Sequence, residues 1–130
     1  MSRKSIEVPG FTHGQQPIPA ACRVGNMIMT GGVRGLDPET GQMGETVEDQ
    51  ARLTFMWVER ILAAAGASFD DVIKMTFYVQ TPEARAAINP EWLKAFPDAA
   101  SRPARHSQEV LSLPAKAFMQ CDCVAVITED

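Results

Sequence analysis

Positive charge is scarce in this sequence: 12 lysines and arginines face 16 aspartates and glutamates, for a net charge of −4. A polyanion would approach such a surface against the overall field, and no Lys/Arg cluster is long enough to reverse it. Nucleic acid is therefore not an expected partner. Long apolar runs are missing too. No stretch approaches the ~18 apolar residues of a membrane span, and Met1 to Pro9 contains no apolar h-region. The expectation is a cytoplasmic chain with no membrane partner. Cysteine is limited to Cys22, Cys121 and Cys123, an odd number whose single C-x-C pair has no second pair to complete a zinc cage. Reduced, partly buried thiols are the simplest account. The two histidines, His13 and His106, stand in neither H-x-x-H nor H-E-x-x-H spacing, which removes support for a metal. Each reads as a surface or loop residue. Ser107 lacks a G-x-S-x-G elbow, and there is no P-loop or Rossmann fingerprint, so neither a serine hydrolase nor a nucleotide cofactor is indicated.

What is present fits one domain. The 130 residues suffice for one core and leave no room for a second. Residues 1–16, punctuated by Pro9, Gly10 and Gly14, read as an extended N-terminal arm with room for a short strand. Apolar segments from Ala20 to Val24 and from Asn26 to Thr30 flank Gly25-Asn26, which predicts a hairpin. Gly31-Gly32 and the turn chemistry from Leu36 to Gln42 then make a loop ending near Gly44. Thr46 and Asp49 have capping-box spacing, and Val47, Ala51, Thr54, Val58, Ile61, Leu62 and Ala65 form a helical stripe that Gly66 stops. Phe55, Met56 and Trp57 fall off the stripe, either at the edge of the core or at a subunit interface.

The stretch from Val72 to Val79 alternates, with Ile73, Met75, Phe77 and Val79 expected on the buried face. Thr81-Pro82-Glu83 and Asn89-Pro90-Glu91 are both helix-start signals. They predict two short helical pieces, or one interrupted helix, anchored by Leu93 and Phe96. A strand entering after Arg102-Pro103 and running to Val110, a turn at Leu113-Pro114, and a last strand from Ala117 to Ile127 complete the order. The expected fold is α+β: a mixed sheet with both helices on one side and self-association covering the other.

Strand alternation places Arg105, Ser107 and Glu109 on one side of their strand, and Phe118, Gln120 and Asp122 on one side of the last strand. If the two strands are hairpin partners, these polar sets converge. Arg105 stands out because a guanidinium is always charged and grips a carboxylate bidentately. A structural ion pair is its other account.

A series of landmarks carries further meaning: Pro17, the segment from Gly25 to Gly32, Asp37-Pro-Glu-Thr-Gly41, Gln50, the helix end at Gly66, Asp70 to Lys74, Asn89, Phe96, Arg102-Pro103-Ala104-Arg105 and Leu113-Pro114. In this order and spacing, from about residue 17 to 127, the chain resembles the YjgF or reactive intermediate deaminase (Rid) family. The resemblance implies a chorismate-mutase-like α+β subunit and a homotrimer with clefts between subunits. It also implies cofactor-independent hydrolysis of small 2-imino or 2-enamino carboxylates to keto acids and ammonia. Arg105 matches the arginine that binds the substrate carboxylate, and Asn89 falls among the substrate-binding positions. Four positions depart from the deaminase pattern: Ile18 replaces a tyrosine, Gly31 a serine, Ser107 a cysteine and Gln120 the water-orienting glutamate. An amide can position water but cannot accept its proton. Asp122 and Glu109 are the alternative bases. A trimeric binding protein for 2-keto acids, without turnover, is the other function consistent with these departures.

Overall fold

The computed structural model describes residues 2–128. Its hairpin forms where Gly25 can turn the chain: with φ at +57° it occupies the first position of a two-residue loop between β2 (Ala21–Val24) and β3 (Met27–Thr30). The arm contributes β1 (Lys4–Ile6), antiparallel to β2. After α1 (Val47–Ala64) come β4 (Val72–Val79), α2 (Pro82–Ala95), β5 (Ala104–Glu109) and β6 (Met119–Val126). The six strands form one mixed sheet in the order β1-β2-β3-β6-β4-β5. Among the described residues only the β4–β5 pair is parallel, as a helical crossover between them requires. Both helices cover one face, where Ile28, Met75, Phe77, Val79, Met119, Cys121 and Ala125 are buried with the α1 stripe. The fold is the expected α+β arrangement.

Helix α1 takes the threonine half of the expected capping box, while the Asp49 carboxylate turns to Arg52 instead. Thr46 Oγ1 accepts from the Asp49 N–H, and at the other end Ala67 N donates to Leu62 O and Gly66 N to Ala63 O around a left-handed Gly66. The buried stripe is wider than the periodicity indicated. Phe55 and Trp57 lie in the core, Phe55 against Phe77 at 5.9 Å between ring centroids, and Trp57 donating from Nε1 to Leu36 O at 2.6 Å. The loop after β3 and Phe11 of the arm cover this side of the helix, so these aromatics belong to the subunit core.

Three local expectations are corrected. α2 is continuous through Pro90, which is exposed, so the carbonyl left without a helical donor faces water. Leu93 is not an anchor, being 52% exposed; the buried phase runs through Ala84, Ile88, Trp92 and Phe96 at four-residue steps. Ile73 is also exposed, because a register shift between Val72 and Lys74 breaks the alternation at the start of β4.

The loops leading to the site are fastened by one buried amide. Gln50 accepts from Phe118 N at 2.7 Å and donates to Gly44 O at 2.8 Å, tying the segments before α1 and before β6 to the helix. Where β3 meets β6, Gly31-Gly32 interrupts the ladder. Thr30 Oγ1 accepts from Cys123 N at 3.0 Å, and pairing resumes at Val33 opposite Cys121.

Candidate functional site

β5 is the sheet edge beside α2, and its alternation directs Arg105 and Ser107 to the helix side, where their partners in register are Met75 and Phe77. The Arg105 guanidinium lies 5.2 Å from the Trp92 ring centroid and 5.3 Å from that of Phe77, and its Nη1 donates to Asn89 Oδ1 at 2.8 Å. Aromatic faces favour a cation at such distances. Burial, and then the neighbouring cation Arg85, lower its pKa from the usual guanidinium value, and a guanidinium stays charged at physiological pH all the same. The ion pairs among the described residues are Arg52–Asp49 and Lys94–Glu91, so Arg105 has no carboxylate of its own within pairing distance. No ion pair among the described residues of the chain therefore involves Arg105. Ser107 is half-buried one pleat further on, and Glu109, at the end of the same row, is exposed.

Gln120 stands elsewhere. β4 lies between β5 and β6, so those strands are not hairpin partners, and the cross-strand partner of Gln120 is Tyr78 on the face away from the helices. The expected convergence of the two polar sets within one chain is overturned: they occupy opposite faces of the sheet. Next to Gln120 along the open face is Asp122, which is in register with Thr76 of β4 and, one strand further, His106 of β5. Burial pushes the Asp122 carboxyl up, and Lys74 partly offsets this.

The surroundings of Gln120 are built on Gly32. A Cβ on Gly32 would lie 2.8 Å from Gln120 Nε2, so the amide packs directly on that backbone. Arg34 Nη1 donates to Gln120 Oε1 at 3.1 Å. No sequence motif points to Arg34. The only available signal was its strand phase after Gly31-Gly32, which sets it across from Gln120. On the other flank His13 is partly buried. Its Nε2 lies 2.8 Å from Gly32 O, and its Cε1 would be 3.3 Å from a Cβ on Gly31. A serine at position 31 would therefore crowd the imidazole. Ile18, half exposed, joins His13, Phe11 and Pro17 around an open cavity of ≈ 610 Å³ lined by the arm and the segment that leads into β2. Gly31, Ile18 and Gln120 thus share one region with two unanticipated neighbours, while Arg105, Asn89 and Ser107 form the other half.

Residues 15–127 match the family model described as Endoribonuclease L-PSP. The chain belongs to this family, the YjgF/Rid family. Among Rid relatives, the 2-iminobutanoate/2-iminopropanoate deaminase of Salmonella typhimurium is 34% identical over 104 residues, covering 79% of this chain and 81% of that protein. The chloroplastic Reactive Intermediate Deaminase A of Arabidopsis thaliana is 34% identical over 112 residues, which are 85% of this chain but only 59% of that longer protein. The crystal structure of Escherichia coli TdcF with bound serine superimposes with a TM-score of 0.87 at 31% identity, covering 96% of this chain and 99% of TdcF. Relatives named deaminases support a deaminase-type role for this Rid chain. No described helix is long and apolar enough to cross a membrane.

Proposed function

We propose that this protein is a Rid-type deaminase that hydrolyses small 2-imino carboxylates, and their enamine tautomers, to 2-keto acids and ammonia. The observation that carries the reading is Arg105: a half-buried cation with no acid partner among the described residues, oriented by the neutral Asn89 and flanked by Trp92 and Phe77. Such a group is suited to grip a carboxylate. TdcF bound to serine, itself a small carboxylate, supports the same ligand class.

The chemistry needs little from the protein. Water adds to the imine carbon and its proton passes to nitrogen. The resulting carbinolamine then expels ammonia and leaves the keto acid. Arg105 would fix the carboxylate, Ser107 and the backbone at Gly31 would line the pocket, and Gln120, held by Arg34, would orient the water. Positioning is the main contribution, since the amide of Gln120 cannot take a proton. Because Arg105 and Gln120 lie on opposite faces of one sheet, both can reach one substrate only where copies of the chain meet. The homotrimer proposed for this family member meets that need. Val24, Met27 and Met29 on the open face expose roughly half of their surface and support its burial by another copy.

The test is ammonia release from 2-imino acids generated in situ by an amino-acid oxidase, with size-exclusion chromatography for assembly. The wild type should accelerate hydrolysis, and Arg105→Ala should lose about 10²-fold or more. Gln120 favours a second reading, a trimeric protein that binds keto acids without turnover. Keto-acid binding with no acceleration of ammonia release by the wild type would select it.

A further inference from the structure

Arg34 is the least expected cation in the molecule. Val33 pairs with Cys121, which sets Arg34 opposite Gln120 on the open face, and one of its five N–H donors is used on the Gln120 amide oxygen. The remaining donors have no hydrogen-bond partner among the described residues within the chain, and no described carboxylate lies within ion-pairing distance. Asp122, the nearest acid along β6 on that face, is one pleat away, and the cation acting on it is Lys74. Arg34 is also half-buried, so its charge is not fully dispersed by water. A glutamate at position 120 would have paired with it. Glutamine fixes the position of the guanidinium and leaves its charge uncompensated.

We infer that Arg34 is a second carboxylate anchor, and that the substrates are dicarboxylic 2-imino acids. The inference rests on the deaminase reading for its chemistry and on association of copies for its geometry. Arg105 of one copy takes the carboxylate next to the imine carbon, and Arg34 of a neighbouring copy takes the distal carboxylate. Gln120, bonded to Arg34, then lies where the carbon chain passes between them. The same pairing explains how a glutamine serves at this position: a glutamate would cancel the charge that the distal carboxylate requires.

Calorimetry with 2-oxoglutarate and pyruvate tests this, beside ammonia release from the corresponding imines made from glutamate and alanine by oxidases. The wild type should prefer 2-oxoglutarate to pyruvate by about tenfold or more, the scale of one charge-assisted contact. Arg34→Gln should bring that ratio close to one. Gln120→Glu should do the same while leaving Arg34 in place, which decides the matter if Arg34→Gln does not fold. Arg34→Lys should keep part of the preference, since a charge remains but the planar fork is lost. A wild-type ratio near one overturns the inference, as does a ratio that survives both Arg34→Gln and Gln120→Glu. The two readings separate cleanly. Ammonia release accelerated equally from both imines keeps the deaminase and removes the role of Arg34. A strong 2-oxoglutarate preference with neither imine hydrolysed keeps Arg34 as a recognition residue and removes the deaminase.

Discussion

Asn89 and Arg105, one on α2 and one on β5, are joined by a 2.8 Å hydrogen bond from the guanidinium to the amide oxygen, so a neutral group orients the cation. An acid in place of Asn89 would have neutralised it. Trp92, one turn beyond Asn89 on the same helix, and Phe77 on β4 flank the guanidinium. The site's charge is thus held in place without being spent on the protein itself.

Arg105→Ala should therefore abolish carboxylate binding and leave the secondary structure and assembly unchanged, as read by calorimetry, circular dichroism and size exclusion. Arg105→Lys keeps the charge but loses the fork that meets Asn89 and the planar contact with the rings, and affinity should fall about tenfold. Asn89→Ala should weaken binding by a smaller factor. An unfolded Arg105→Ala would show that the residue is structural after all.

Gln50 should be among the most sensitive polar positions. Its side chain is buried and serves the Phe118 N–H and the Gly44 carbonyl together. Gln50→Leu keeps the approximate volume but leaves both backbone groups without that partner, at a cost of roughly 2 to 5 kcal/mol. Urea unfolding should show a lower midpoint with an unchanged slope. A loss under ~0.5 kcal/mol would mean that water enters to replace the amide.

The thiols should divide by burial. Cys121 and Cys123 face the core, where desolvation disfavours the thiolate; Cys123 is pushed up to about 12 and Cys121 is raised well above the ordinary range. Cys22 is only partly buried. Cys22 pairs in register with Met29 on the open face, so a chromogenic disulfide reagent at pH 8 should modify it in the unassociated native subunit, be slowed by association of copies, and reach all three cysteines in denaturant. Rapid native reaction of a second thiol would show that β6 opens.

Most of the fold was legible because local chemistry and global packing agree. Gly25 turns the hairpin, Thr46 and Gly66 bound α1, and the alternation of Met75, Phe77 and Val79 marks the buried face of β4. Where local signals failed, packing had overruled them. Pro90 is tolerated because its side of α2 meets water, and Ile73 escapes burial through a bulge that no pattern announces. The site was legible by residue but not by arrangement. Alternation correctly put Arg105 with Ser107, and Gln120 with Asp122, yet which strands are neighbours depends on β4 lying between them, a long-range fact. Arg34 and His13 escaped for the same reason: their importance comes from contacts with Gln120 and Gly32, not from spacing.

Asp122 supplies a pH-dependent test. Its carboxyl is raised by burial on the open face and only partly restored by Lys74. An acid with a raised folded-state pKa binds its proton more tightly in the native chain than in the unfolded one. Its favourable contribution is therefore complete below the unfolded value of about 3.9 and is lost as pH rises through the folded value. Asp122→Asn removes the charge that the fold disfavours, so it should raise Tm at pH 7 and have little effect near pH 3.5. The gain should be modest, because much of the carboxyl remains solvated. Thermal unfolding of both proteins across this range gives the answer. A lower Tm for Asp122→Asn at pH 7 would mean that attraction to Lys74 outweighs the desolvation of the carboxylate.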